Sequence, residues 1–512
     1  MEGLPDIVVG TGPAGVAAAM ALLAKGRRVV LLDGGKAFEA EHEARRQALA
    51  ARDPAGWTAA DVAGWQGPQS GAAPGQVRRY GSDFAMEPAD ATFAEAGDVA
   101  LRASRAGGGL SSLWGSAVLP YSPHDTAGWP VSPEEFAPHY RAVAGFLPVS
   151  GRVDALQGLF PALPMEGRTA LPASPQGAAL LARMDRQAGA LGRRGVTVGM
   201  ARQAVASGCR TCGQCLHGCP WELIWSARYT LRHLAEDSRV TYRPGAVVAR
   251  VEDGPDGATA HLADGTSVRG ARLFLGAGVL ETARILMTSR PGLTEVALRD
   301  SQQAFLPMLH PWSAGARPDR TPAHTLAQMF VEIDDPAVSP WLVHGQVYSW
   351  NEFYRAELLA KYGRLPLAGP VFGALSRRLI VAQAFLHSDH SAKIALTLAA
   401  DGRLKARTVA NPDTFPTLTR ALKAMAGAFR LGGMIPLLPA ARPGAPGSSF
   451  HVGASFPMAA APNGASSDTL GRPLGMKHVH LIDASSLPAI PATTITFGVM
   501  ANAHRIAAMA PV

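Results

Sequence analysis

One stretch of this 512-residue chain constrains its fold more than any other: Asp6-Ile7-Val8-Val9 running directly into Gly10-Thr11-Gly12-Pro13-Ala14-Gly15. Four residues of buried-strand character lead into G-x-G-x-x-G, an Ala-rich helical stretch follows to Ala24, and Lys25-Gly26 breaks it. Arg28 to Leu32 then reads as a second parallel strand, ended by Asp33. This full βαβ setting turns a common glycine pattern into a dinucleotide-binding turn. Gly10 makes the tight turn, Gly12 lets backbone N–H groups approach a pyrophosphate, and Gly15 allows close helix–strand packing. The helix N-terminus, with Pro13 and Ala14 in its first turn, favours an anion. Asp33 is placed to hydrogen-bond an adenosine ribose, which argues against a 2′-phosphorylated cofactor. The motif alone does not separate FAD from NAD.

A second feature is as local. All four cysteines, Cys209, Cys212, Cys215 and Cys219, fall within eleven positions, with Pro220 directly after. The spacing C-x2-C-x2-C-x3-C-P is that of a bacterial-ferredoxin cluster, whose short gaps turn thiolates around one inorganic core. The core expected is 4Fe-4S, or 3Fe-4S if Cys219 is not a ligand. Zinc is a competing reading, although structural zinc usually takes two separated knuckles and only one is present. Disulfides or free thiols are the third.

Composition excludes several classes. Hydrophobic residues make up 47% and charged ones 17%, a globular balance. The net charge of +8 is scattered and forms no basic run, so nucleic-acid binding is not expected. No apolar stretch reaches the roughly 20 residues of a membrane span, and no secretory signal precedes the first strand, so a cytoplasmic location is expected.

The other landmarks resemble the glucose–methanol–choline (GMC) family of FAD-dependent oxidoreductases, from end to end. Gly107 to Gly115, including Gly108, Gly109, Ser112 and Trp114, looks like the family's loop against the flavin. Gly128-Trp129-Pro130-Val131-Ser132 is similar to the stretch that opens the substrate region. Gly245 to Val251 resembles the strand whose backbone touches adenine, at Val248, and Leu275-Gly276-Ala277-Gly278 resembles another cofactor segment, at Ala277. Near the end, Phe450 to Met458 looks like the segment that carries the catalytic histidine, here His451. Leu481-Ile482-Asp483-Ala484-Ser485 matches the segment along the flavin ribityl and pyrophosphate, with Asp483 and Ala484 as contacts. A subset of these flavoproteins carries a cysteine-rich insert, and some of those hold an iron–sulfur cluster and pass electrons to an acceptor protein or quinone.

The resemblance implies an α/β fold: a Rossmann-like FAD-binding domain and a second α+β substrate domain on a mainly antiparallel sheet. The FAD part is expected to be discontinuous (1–110, 205–295 and 445–512), with 111–204 and 296–444 building the substrate part and 209–219 the cysteine loop. Period-two patterning marks strands at Thr325 to Ile333, Leu342 to Trp350, Leu379 to Leu386 and Lys393 to Leu398. Pro416 to Leu431 reads as an amphipathic helix. Trp114, Trp350, Phe353 and Tyr354 are candidate pocket walls.

The resemblance implies oxidation of a CH–OH group of a sugar, polyol or larger alcohol, with hydride to flavin and the hydroxyl proton to His451. An imidazole suits that proton. The sequence departs from the family at its second catalytic position, where Thr494 stands, followed by Ile495. Threonine can orient a substrate oxygen but cannot titrate near neutrality. An oxygen-using oxidase and a redox-neutral isomerase or epimerase remain the alternatives. His387 and His390 are read as a solvated turn, and His504 as structural or near the pyrophosphate.

Overall fold

Ile7, Val8 and Val9 offer solvent nothing polar, and the strand Asp6–Val9 is buried throughout at the centre of a five-stranded parallel sheet. The order across it is Val479–Leu481, Leu273–Leu275, Asp6–Val9, Val29–Asp33, Val240–Pro244. Alternation decides what each face meets. Val8 and Leu31 pack with the helices Pro13–Ala24 and Thr496–Met509. Ile7, Val9, Val30 and Leu32 pack on the other side, against helix Val279–Ser289 and a three-stranded meander, Val248–Gly254, Gly257–Leu262 and Ser267–Gly270. Both faces are covered, as a parallel sheet requires. The structure is a computed structural model that describes residues 3–67, 80–311, 317, 321–351, 354, 358 and 368–511.

A second sheet is antiparallel, in the order Ile435–Pro436, Gln303–Leu309, Leu379–Phe385, Val343–Tyr348, Met329–Ile333, Val196–Met200. The strand Arg442–Pro443 also pairs with Gln303–Leu309. One face carries Met329, Val331, Val343, Val347, Ile380 and Ala382, covered by the helices Thr414–Leu431 and Pro175–Arg186. The opposite face is polar and aromatic: Phe330, Glu332, His344, Gln346, Gln383 and Phe385. The chain thus has the expected α/β class, a Rossmann-like parallel sheet joined to an α+β part on an antiparallel sheet.

Three of the four expected strands lie in this sheet, as Met329–Ile333, Val343–Tyr348 and Leu379–Phe385. Lys393–Leu398 does not. It forms a hairpin with Leu404–Val409 through a turn with Gly402 at φ +80°, and pairs on its other edge with Glu295–Asp300 in a third sheet. His387 is no solvated residue either: it is 1% exposed and stacks on Trp341 at 4.5 Å. Phe353 lies outside the described residues.

The parallel sheet is tied to the chain's end by charge. Asp6, 0% exposed, accepts from Arg272 Nε and Nη2 at 2.9 and 2.7 Å and from Arg27 Nε at 2.8 Å. Arg272 Nη1 in turn donates to the Ala510 carbonyl at 2.6 Å. Breaking a buried pair strands its partner charge, so Asp6→Asn is expected to cost about 3–5 kcal/mol. A urea titration checks this, and an unchanged midpoint would refute it.

Candidate flavin and alcohol site

The glycine turn is shaped by what it excludes. A β-carbon on Gly10, at φ +90°, would lie 2.3 Å from the Gly276 carbonyl oxygen and 3.1 Å from Ala277 Cα. One on Gly15 would lie 1.9 Å from the Gly10 carbonyl oxygen, so helix and strand touch backbone to backbone. A β-carbon on Gly12 meets no neighbour within 4 Å. Gly12 caps the helix Pro13–Ala24 without any side-chain hydrogen bond, and Ile495 caps the C-terminal helix in the same bare way. Two helix N-termini therefore keep backbone donors for another acceptor.

The loop Gly107 to Gly115 lies over this turn. Gly108, at φ +87°, donates its N–H to Thr11 Oγ1 at 3.1 Å, and a β-carbon on Gly109 would sit 3.4 Å from Gly12 Cα. Ser112 Oγ is shared with Ser226 Oγ at 3.2 Å, and Trp114 Nε1 donates to the Trp225 carbonyl at 2.8 Å. These two residues hold the loop in place. Gly115 has open space where a side chain would be.

Asp33 ends its strand as expected, but its carboxylate already works within the protein. Oδ2 accepts from Thr11 N and Oγ1, and Oδ1 accepts from Gly35 N at 2.6 Å. Burial raises its pKa, against those hydrogen bonds. Asp483 is similar: Oδ2 takes Gly278 N at 3.0 Å and Thr282 Oγ1 at 2.6 Å, and Oδ1 takes Ser485 N. It ties its own loop to the start of the helix Val279–Ser289. Val248 is buried, with its carbonyl accepting from Arg284 Nη2.

His451 is held by the backbone on both sides. Its N–H donates to Ser449 Oγ and its carbonyl accepts from Ser301 N, each at 3.0 Å. The next residues pair with Arg299 and Asp300, then run along the Asp483 loop: Ala454 N to the Ala484 carbonyl, Phe456 N to Ser485, Met458 N to Ser486. The histidine and the Asp483–Ala484 segment are therefore parts of one assembly. The imidazole stacks on Phe385 at 4.9 Å, and its Nδ1 is buried without a partner. Part of the residue stays exposed, yet the ring is enclosed deeply enough that burial, and then nearby His344, push its pKa down to about 3.

Thr494 is 3% exposed, and its hydroxyl accepts the Leu119 N–H at 3.0 Å. The buried hydroxyls of Thr493 and Ser455 have no partner among the described residues, which sequence reading missed. Each is adjacent to a residue or motif already singled out, the only signal that could have found them. His504 faces His139, Nδ1 to Nδ1 at 2.9 Å, on the outer side of the C-terminal helix.

The four cysteines are all free thiols lining one cavity, with His324, Trp221 and apolar residues such as Leu171 and Leu326. The sulfurs are aimed at by donors. Cys219 faces the N–H groups of Leu223, Trp221 and Ile224, Cys215 faces Thr325, and Cys212 faces Gln214 N–H. Burial pushes the thiols up, Cys215 to about 11, and neighbouring cysteines push them further. Among the described residues, no three His, Cys, Asp or Glu side chains are gathered closely enough to hold a metal ion. Neither a zinc ion nor the expected iron–sulfur cluster therefore gains support from the placement of these side chains.

No protein-family model matches this chain, and no curated protein sequence matches it significantly. Its fold is shared with solved structures. Pyridoxine 4-oxidase from Mesorbium loti superposes with a TM-score of 0.62 over 98% of each chain, at 15% identity. At that identity the likeness establishes a common fold.

One buried acid near the antiparallel sheet has a measurable consequence. Asp125 is 1% exposed, accepts from Leu342 N through Oδ1, and has no partner at Oδ2. Burial raises its pKa from 3.8 to about 7. A carboxyl that binds its proton more tightly when folded costs stability as pH climbs from about 4 to 7. Asp125→Asn keeps the acceptor and removes the charge. It is expected to stabilise by about 2–4 kcal/mol at pH 8 and by almost nothing at pH 4; an equal effect at both would contradict the assignment.

Proposed function

We propose that this chain is an FAD-dependent oxidoreductase of GMC type that oxidises a CH–OH group. The observation that carries the reading is the assembly of one buried histidine loop with the dinucleotide turn. The segment that follows His451 is hydrogen-bonded to the Asp483–Ala484 segment through Ala454 N and the Ala484 carbonyl, and Asp483 reaches the segment Gly276-Ala277-Gly278 that abuts Gly10. Sharing its fold with a pyridoxine oxidase is in keeping with this.

The residues fit FAD. Gly12 leaves a cradle that a side chain would fill, two uncapped helix N-termini supply donors, and the hydroxyls of Ser455 and Thr493 are buried without partners. Gly10, Gly12, Pro13, Ala14 and Gly15 would hold the pyrophosphate, with Asp33 at the ribose through its remaining Oδ1 lone pair. Gly108, Gly109, Ser112, Trp114, Gly115, Val248, Ala277, Asp483 and Ala484 would complete the site. When bound, FAD supplies a two-electron acceptor for the carbinol hydrogen. His451, neutral across the physiological range, accepts the hydroxyl proton. Thr494 keeps its hydroxyl proton free to donate while its oxygen takes Leu119 N–H, so it orients rather than titrates. The substrate class is a sugar, polyol or larger alcohol.

Anaerobic mixing with a panel of such alcohols is expected to bleach the flavin of the wild-type protein. His451→Gln is expected to slow bleaching about 10²–10⁴-fold, the usual worth of a positioned base. An unchanged rate in that variant would remove His451 from the chemistry. Turnover without any acceptor would instead favour the isomerase.

The cysteine cavity favours a dehydrogenase over an oxidase. Cys209, Cys212, Cys215 and Cys219 would hold a 4Fe-4S or 3Fe-4S cluster, since N–H groups directed at sulfur stabilise thiolates in such sites. Metal binding removes the protons that burial makes hard to lose. When present, the cluster moves electrons singly to an acceptor protein or quinone. Protein purified without oxygen should then carry roughly three or four irons, with matching acid-labile sulfide, per flavin. Flavin without iron would leave the thiols structural and oxygen as the acceptor.

A further inference from the structure

The antiparallel register sets a carboxylate and an imidazole side by side in the row that ends at His451. Glu332 pairs with His344 across the ladder, and His344 pairs with Phe385. Directly opposed residues share a face. Glu332 Oε1 and His344 Nδ1 are 2.7 Å apart, and both side chains are 0% exposed. The rings continue the row. His344 lies 5.8 Å from Phe385 with planes 29° apart, and Phe385 lies 4.9 Å from His451 with planes 23° apart.

Three buried polar atoms of this row lack a partner among the described residues: Glu332 Oε2, His344 Nε2 and His451 Nδ1. Such atoms are rare in a finished interior and mark places where charge is managed. His451 cannot easily hold a proton alone, because its surroundings are Phe385, His344 and the uncharged Ser301 and Ser449. The carboxylate of the same enclosed row is Glu332, which lies beyond Phe385 and His344.

We propose that Glu332 and His344 form a charge-compensating pair that acts through His451. The Glu332 carboxylate, fixed by the His344 Nδ1–H, balances the positive charge that His451 acquires with the substrate's hydroxyl proton. The proposal rests on the reading of His451 as the base in alcohol oxidation. In that step the substrate O–H bond breaks, an N–H bond forms on His451, and the carbinol hydrogen leaves with two electrons for the flavin. The pair itself neither gains nor loses a proton. Glu332 and His344 are positioning residues, and they supply from the sheet the titratable support that Thr494 does not.

Other charged groups bear on the same row. Arg202, following Val196–Met200, is within electrostatic reach of Glu332; its guanidinium is 0% exposed and lies 4.0 Å from Asp154. Asp125 couples to Glu332 from the turn Pro123–Thr126. Asp300, raised to about 6 by burial, accepts from Ser449 behind the His451 backbone.

The test is the pH dependence of kcat/KM in the flavin-loaded protein. Glu332→Gln is expected to move the acid limb down by about one unit and to lower the plateau about tenfold, with KM little changed. His344→Gln keeps a neutral donor on the carboxylate and is expected to leave the limb close to its wild-type position. A limb that stays put in Glu332→Gln, or that moves as far in His344→Gln, would overturn the pair.

Should either variant fail to fold, ring-nitrogen NMR shifts of the wild-type histidines decide. His344 is expected to keep a hydrogen-bonded Nδ1–H, and His451 to shift when the Glu332 carboxylate is protonated. Indifference of His451 to that titration would overturn the proposal as well. A wild-type flavin that no alcohol bleaches counts against the reaction instead, and the ring shifts still judge the pair.

Discussion

At Gly10 two backbones approach so closely that a β-carbon would meet the Gly276 carbonyl oxygen at 2.3 Å, and at Gly15 the helix rests on Gly10 itself. Much of the molecule hangs on this contact. It sets the first strand beside Leu273–Leu275, brings Gly278 within reach of Asp483, and so draws in a segment from 200 residues later. The Asp483 loop then carries the His451 segment along its edge. A side chain at Gly10 would disturb the strand order and the His451 loop together, because both are measured from one backbone crossing.

Charge is placed inside this frame with different kinds of compensation. Asp6 is paired by two guanidinium groups, and Asp483 by two N–H groups and a hydroxyl. Glu332 is different, with one oxygen satisfied by His344 and the other bare. Fully satisfied carboxylates rigidify a fold, whereas a half-satisfied one is tolerated where something else will draw on it. Asp125 is half-satisfied in the same way, and Glu332 differs from it in opening the row of rings that leads to His451.

The glycine turn, both flanking strands and the first helix were legible because the strand–turn–helix–strand pattern that marks them lies within about thirty residues, although the contact with Gly276 that closes the turn does not. The loop Gly107 to Gly115 and the His451 and Asp483 segments were legible through resemblance, since their partners are remote in sequence. Glu332 and His344 were not. Each sits in an ordinary alternating strand, and only the register across twelve residues shows that they touch. Lys393–Leu398 misled for the same reason, since its pattern fits any half-buried strand and a tight hairpin chose its sheet. Asp33 was placed correctly but read too simply, because its hydrogen bonds to Thr11 and Gly35 cannot be seen in a motif.

The cysteine loop and the histidine row pose one electrostatic problem with opposite solutions. Both are enclosed sites built around groups able to carry charge, thiols in one and an imidazole in the other. Around the cysteines, the chain supplies N–H groups aimed at sulfur from Trp221, Leu223, Ile224 and Gln214. These are donors that favour negative charge and would be idle against neutral thiols. Around His451 it supplies an aromatic wall and, beyond it, a carboxylate held by a second imidazole, which favours positive charge. A chain that needed only a packed interior would have had no use for either arrangement. The proposed function draws on both, with a proton taken at one site and electrons moved at the other.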